Sequence, residues 1–272
     1  MKWVKRILLA LLALVLLAIA VIYAWGAVII NTRYEPEPRT ILPSSRPEII
    51  ARGERLASVF GCRGCHREDM EGGVFFEAWY AGRIIAPNLT RAVDAMSRTE
   101  LEAVIRQGVL PDGRSAFGMP SSSFAAMTDL DLSAILSFIT NYPKQDLDLG
   151  HSRYGLMARM LFILGEIRPE AAHAQGSPWQ SGFGQDPLKH GEYIAINACT
   201  ECHGMDLEGQ GDFTPSLAVA KAYSLEDFKL LMSEGTGLGG RDLGLMSKMG
   251  QFRFSHMNED EVEALYQYLQ AR

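Results

Sequence analysis

The chain has 272 residues, 47% of them hydrophobic and 21% charged, with a net charge of −6. That balance argues against a disordered chain and against nucleic acid as a partner. The acidity is uneven: residues 46–145 carry 11 Lys and Arg against 12 Asp and Glu, whereas residues 189–272 carry 7 against 13. An acidic second half suits a basic protein partner, or is simply a solvated surface.

The N-terminus opens with Lys2, Lys5 and Arg6, then runs without a charge from Ile7 to Ile30. Those roughly 24 residues make about 36 Å of helix, enough for a hydrocarbon core of about 30 Å. Trp3, Tyr23 and Trp25 sit toward the ends, where amphipathic rings favour the interface. Ala18-Ile19-Ala20 resembles a signal-peptide cleavage site, but mostly apolar residues continue beyond it, past the usual signal length. Residues 1–31 therefore read as a transmembrane anchor with its N-terminus in the cytoplasm and the rest of the chain outside. Residues 32–45, rich in proline and charge, read as an extended tether lifting the following domains off the bilayer.

Next comes Cys62-Arg63-Gly64-Cys65-His66, and the same pattern returns as Cys199-Thr200-Glu201-Cys202-His203. These are all four cysteines of the chain. A C-x-x-C pair followed at once by histidine is a c-type haem attachment pattern. Zinc would require four ligands at each site, and no further cysteine is available. A redox dithiol would sit in a βαβ setting, which the sequence does not suggest. The pattern predicts two covalently attached haem c groups, with Cys62, Cys65, Cys199 and Cys202 as thioether carriers and His66 and His203 as axial nitrogens.

The motifs lie within a longer repeat. "CRGCHREDMEGG" parallels "CTECHGMDLEGQ", "RGERLA" parallels "HGEYIA", and "GVLPDGRSAFGM" parallels "GTGLGGRDLGLM". Farther on, "MTDLDLSAILSFI" parallels "MNEDEVEALYQYL". Two copies of one module follow, residues 46–145 and 187–272. Each ends in an amphipathic helix with Thr128 or Asn258 as N-cap. Its buried stripe is Leu132, Ile135, Phe138 and Ile139 in the first copy, and Val262, Leu265, Tyr268 and Leu269 in the second. Gly53 and Gly191, in the helix before each motif, would let that helix cross closely beside Phe138 or Tyr268.

Met119, in the loop "AFGMP", is the candidate sixth ligand of the first module. In the second module the count from upstream gives Met246 and the count back from the final helix gives Met249. The closer match of "GGRDLGLMS" favours Met246, and His256 is a weaker third candidate. Pro87 and Pro215 are candidates to present a backbone carbonyl to the Nδ1–H of the ligating histidine. His151, His173 and His190 read as solvated. Residues 146–186 form a linker whose apolar stretch, Tyr154 to Ile167, is too short to span a membrane. It reads as a helix packing on one or both haem domains, or as a dock for a membrane partner.

The motifs "CRGCH", "CTECH", "FGMPSSSF" and "GRDLGLMSKMGQFRFSHMNEDEVEALYQYL" resemble the class I cytochrome c superfamily in a two-domain, dihaem form. The last segment is similar to the C-terminal parts of cytochrome c subunits of dehydrogenase complexes. In such segments the methionine of "LMS" is the expected ligand, which again points to Met246. The resemblance implies an all-α fold of two tandem haem domains and an electron carrier with no substrate of its own. Such a carrier would relay electrons from a dehydrogenase or quinol-oxidising complex to a downstream cytochrome or oxidase of a respiratory chain. Its place would be a bacterial inner membrane, with the haem domains in the periplasm. The alternative is a dihaem enzyme such as a peroxidase, with one open haem site.

Overall fold

The computed structural model describes residues 2–173, 182 and 184–272. The rest of the expected linker, residues 174–181 and 183, lies outside the described residues. A single long apolar helix, α1 (Lys2–Asn31), leads into two mostly helical units. The first contains α2 (Pro47–Val59), α3 (Cys62–His66), the hairpin β1 (Gly73–Ala78) and β2 (Gly82–Ala86), α4 (Leu89–Ala95), α5 (Arg98–Gln107), α6 (Ser121–Phe124) and α7 (Asp129–Asn141). The short strand β3 (Arg153–Tyr154) and the helix α8 (Leu156–Leu164) follow. The second unit contains α9 (Pro187–Ala198), α10 (Thr200–His203), α11 (Leu225–Glu234), the strands β4 (Thr236–Gly237) and β5 (Arg241–Asp242), α12 (Leu245–Phe252) and α13 (Glu259–Ala271).

Each unit is built around one helix crossing, α2 on α7 and α9 on α13. Gly53 faces Ala134 so closely that a Cβ there would lie 1.9 Å from the Ala134 carbonyl oxygen, and one at Gly191 would lie 2.1 Å from that of Ala264. Phe138 and Tyr268 cover the two crossings, with their own Cβ atoms next in line. Leu132, Ile135, Phe138 and Ile139 are buried in the first unit, as are Val262, Leu265 and Leu269 in the second. The Thr128 hydroxyl caps α7 by accepting from Asp131 N. At α13 the cap is reciprocal, and Glu261 also accepts from Asn258 N at 2.8 Å.

The two units meet through contacts that exchange when the units are swapped. Arg55 of α2 holds Glu261 of α13 in a two-point ion pair at 2.5 and 2.9 Å. At the matching positions, Tyr193 of α9 donates its hydroxyl to Asp131 of α7 at 2.6 Å. Likewise Arg253 Nε donates to Val59 O at 2.7 Å, while Ser123 meets Thr200, which reaches Ile196 O. A covalent duplicate thus packs against itself in the self-complementary manner of a two-fold dimer.

One expectation needs correction. The segment after α1 is extended, but it does not hold the domains away from the anchor. Tyr34 N donates to Gly113 O, Glu37 N to Gln107 and Ser44 N to Ser137, Ser133 donates to Leu42 O, and Ile41 is buried. The apolar stretch after the first domain, expected to pack on the haem domains or to dock a membrane partner, forms α8. This helix packs on domain 1, with the Phe162 ring 4.6 Å from that of Phe117, and also along α1, where Ala158 and Phe162 find Ile30 as an apolar partner. Strands also appear that periodicity did not suggest: β2 pairs antiparallel with both β1 and β3.

Candidate haem-binding sites

Both attachment motifs sit where the first helix of the domain ends. α2 stops at Phe60, Gly61 turns the chain at φ 80°, and Cys62–His66 forms a short helix. In the second copy α9 runs into Cys199 and Thr200–His203. Each histidine is buried. His66 Nδ1 lies 2.7 Å from Pro87 O and His203 Nδ1 lies 2.9 Å from Pro215 O. A carbonyl only accepts, so each Nδ1 carries the proton and each Nε2 is free to bind iron. Desolvation also holds His66 below the ordinary histidine value, with the Pro87 carbonyl opposing, which favours the neutral ligating form.

The two ends of the segment from histidine to proline repeat closely between the copies. Gly72 N donates to His66 O and Gly209 N to His203 O. Leu89 N donates to Met70 O and Leu217 N to Leu207 O, both at 2.9 Å. Met70 (φ 56°) and Leu207 (φ 60°) are buried residues in left-handed backbone, an uncommon choice for a non-glycine. Gly72 and Gly209, at φ 86° and 88°, lie flat against the proline peptides. A Cβ on Gly72 would come within 2.8 Å of the Pro87 carbonyl carbon, and one on Gly209 within 2.6 Å of that of Pro215. Sequence reasoning singled out the prolines and missed Met70 and Leu207, although both stand four residues after the histidine.

The thiols sit in poorly hydrated surroundings. Burial pushes Cys62 up to about 11 and Cys199 up to about 12, and raises Cys65 and Cys202 as well. Such thiols are not thiolates at neutral pH, which argues against a reactive dithiol and suits uncharged thioethers. Met119, Met246 and Met249 are all half-buried against the core that also holds Cys199 and contacts Cys62. The donor set therefore fits haem c in both domains.

The structure explains why the two counts toward the second methionine disagree. Downstream, Met127 N donates to Phe124 O and Met257 N to Phe254 O, so the copies are in register there. Upstream, Ala116 N donates directly to Gly108 O, while the matching Leu243 N reaches Gly235 O through the Ser247 hydroxyl. The extra residues lie between, where α6 spans four residues and α12 eight. Met246 and Met249 stand one turn apart on α12. His256 is exposed; its carbonyl accepts from Arg55 and its N–H donates to Arg253 O.

One group near both motifs was not anticipated. Arg253 is buried, pairs with Glu201 at 2.9 Å and lies against Gly61, and its charge acts on all four cysteines. The two attachment segments therefore face the same ion pair at the domain interface.

A duplicated helical domain with a C-x-x-C-H motif whose histidine is buried, a proline carbonyl on that histidine and a methionine packed on the same core defines a two-domain c-type haem protein. The family model described as Cytochrome c matches residues 50–143 and 188–272. The chain belongs to the cytochrome c family and carries two covalently bound haem c groups, in keeping with an electron-transfer role. No curated protein matches the chain.

Proposed function

We propose that this chain is a membrane-anchored dihaem relay. Its donor is a dehydrogenase or a quinol-oxidising complex, and its acceptor a downstream cytochrome or oxidase. The observation that carries the reading is the repeated histidine-to-proline geometry, which prepares two equivalent axial ligands on either side of one tight interface. When bound, haem c supplies a one-electron iron centre. Cys62, Cys65, Cys199 and Cys202 hold the two groups as thioethers, and His66 and His203 ligate through Nε2. Met119 and Met246 would supply the remaining iron ligand of each group, which would leave no open position for a substrate and raise the potential.

α1 is long and apolar enough to cross a bilayer, and its apolar window is unburied. Lys2, Lys5 and Arg6, ahead of its uncharged stretch, support an N-terminus in the cytoplasm and haem domains in the periplasm of a bacterial inner membrane.

The test is optical. Both ferric haems should show the sulfur-to-iron charge-transfer band, and the ferrous protein should ignore carbon monoxide. Carbon monoxide binding to either haem at native pH would overturn the relay in favour of a dihaem enzyme with an open site.

A further inference from the structure

Domain 1 carries a surface that its sister lacks. The histidine and its proline are 21 residues apart in domain 1 and 12 in domain 2, a difference of 9. The added chain is the β1–β2 hairpin. Its turn is fastened to the start of α8, with Gly155 N donating to Ala81 O at 2.8 Å and Met157 N to Tyr80 O at 3.0 Å. Around that junction the side chains are apolar and face outward. Trp79 is 95% exposed and Leu164 66%, and Phe76, Tyr80, Met157 and Met160 are each more than two-fifths exposed. A contiguous apolar surface of this kind marks an interaction site.

Its depth along α1 identifies the occupant. About 20 residues cross a hydrocarbon core of about 30 Å, so a span beginning at Ile7 reaches the far boundary near Gly26. α8 meets α1 at that level. A Cβ on Gly26 would lie 2.8 Å from Arg159 Cβ, and Ile30 is buried with Ala158 and Phe162. Arg159 donates to Tyr23 O at 3.2 Å and sits 4.9 Å from the Tyr23 ring centroid. Tryptophan and tyrosine are enriched at this boundary, and short helices with one apolar face settle into it. From these placements we infer that α8 and the β1–β2 turn form a lipid-contacting shelf seated in the headgroup boundary of the outer leaflet. This inference rests on reading α1 as a membrane anchor. Domain 1 is then held at two points, which stops it from rotating about α1 and fixes the side it presents to a partner. Domain 2, rigidly joined through the two-fold-like interface, is directed to the aqueous side.

The experiment uses the full holo-chain in phosphatidylcholine vesicles containing a lipid with a photoactivatable diazirine on its acyl chain near the headgroup, with adducts mapped by mass spectrometry. Adducts are expected on α1, on the peptide carrying Trp79 and on Met157–Leu164, and not on α13. A W79S/M160S/L164S variant that retains both haems should keep the α1 adducts and lose the others at least several-fold. Adducts on α1 alone would overturn the shelf and leave the anchor standing. No adducts on α1 would overturn both. Shelf adducts in vesicles that vanish in native membranes would also overturn the inference, because a protein partner would then cover this face.

Discussion

The two haem domains share a backbone path around their histidines, yet they are dressed differently. Domain 1 is clad on three sides: by residues 33–45, by the hairpin with α8, and by the short turn Glu170–Ala172 against Gly108 and Ser122. Among the described residues, domain 2 has no such covering. At matching positions of α5 and α11, Glu102 and Arg106 are fully buried, whereas Lys229 and Ser233 are solvated and Lys229 pairs with Glu259 and Glu263. The comparison separates what haem binding demands from what placement demands. The helix crossing, the left-handed loop and the proline carbonyl are common to both copies. The cladding belongs only to the copy next to the anchor, and the uncovered acidic face belongs to the distal one.

The common features can be tested for equal weight. Gly53→Ala and Gly191→Ala each drive a methyl group into a backbone carbonyl that cannot retreat alone. Each should cost about 3 kcal/mol, the upper end of the usual overpacking range. Thermal unfolding of the holo-protein checks this, and a clearly milder effect at one glycine would break the equivalence of the two crossings.

A methionine test follows, of smaller effect on stability but decisive for ligation. Met119→Ala should abolish the sulfur-to-iron band of domain 1, and Met246→Ala that of domain 2, while Met249→Ala leaves both. The reverse result for Met246 and Met249 would place the inserted helical turn upstream of the ligand instead of downstream.

How much of this was legible in the sequence follows from where the chain is constrained locally. The anchor, the duplicated motifs, the crossing glycines and the α7 and α13 stripes show because period, spacing and residue type coincide. Pro87 and Pro215 could be singled out because a ligating histidine calls for a backbone carbonyl on its Nδ1–H, and each proline follows its motif in the chain. The β1–β2 hairpin was hidden because "GVFFEAWYAGRIIA" has a turn signal but too little alternation to announce strands. The destination of α8 was hidden for a different reason. An apolar stripe states that it must be covered, and only the three-dimensional path shows that α1 covers it. Arg253 was overlooked because its partners, Val59 and Glu201, lie 194 and 52 residues away.

Arg253 also gives the third test. Its charge sits beside both attachment segments, while the matching residue of domain 1, Ser123, is neutral. A cation disfavours the ferric state, so Arg253→Gln should lower both midpoint potentials, the more so because Glu201 is left unpaired. Ser123→Ala should move neither. Spectroelectrochemical titration checks this, and a shift at one haem alone would show that the pair serves a single domain.

The smallest effect concerns the cladding itself. Burial raises the Glu102 carboxyl above its ordinary value, against the lowering pull of Gln107, Arg106 and, from the cladding segment, Arg39. A raised value means that the folded domain keeps a proton which the unfolded chain releases first. The stability contribution is therefore fully present below the ordinary carboxylate range and is lost as pH rises through the folded value. Glu102→Gln keeps a hydrogen-bonding group of the same shape and removes the titration. Hydrogen exchange of α5 amides should then lose the part of its stability that declines with pH across that window. Exchange in α11, which carries Lys229 at the matching position, should be the same in both proteins. Equal change in α5 and α11 would mean that the two domains open as one unit, so that cladding one copy stabilises both through the Arg55–Glu261 and Tyr193–Asp131 contacts.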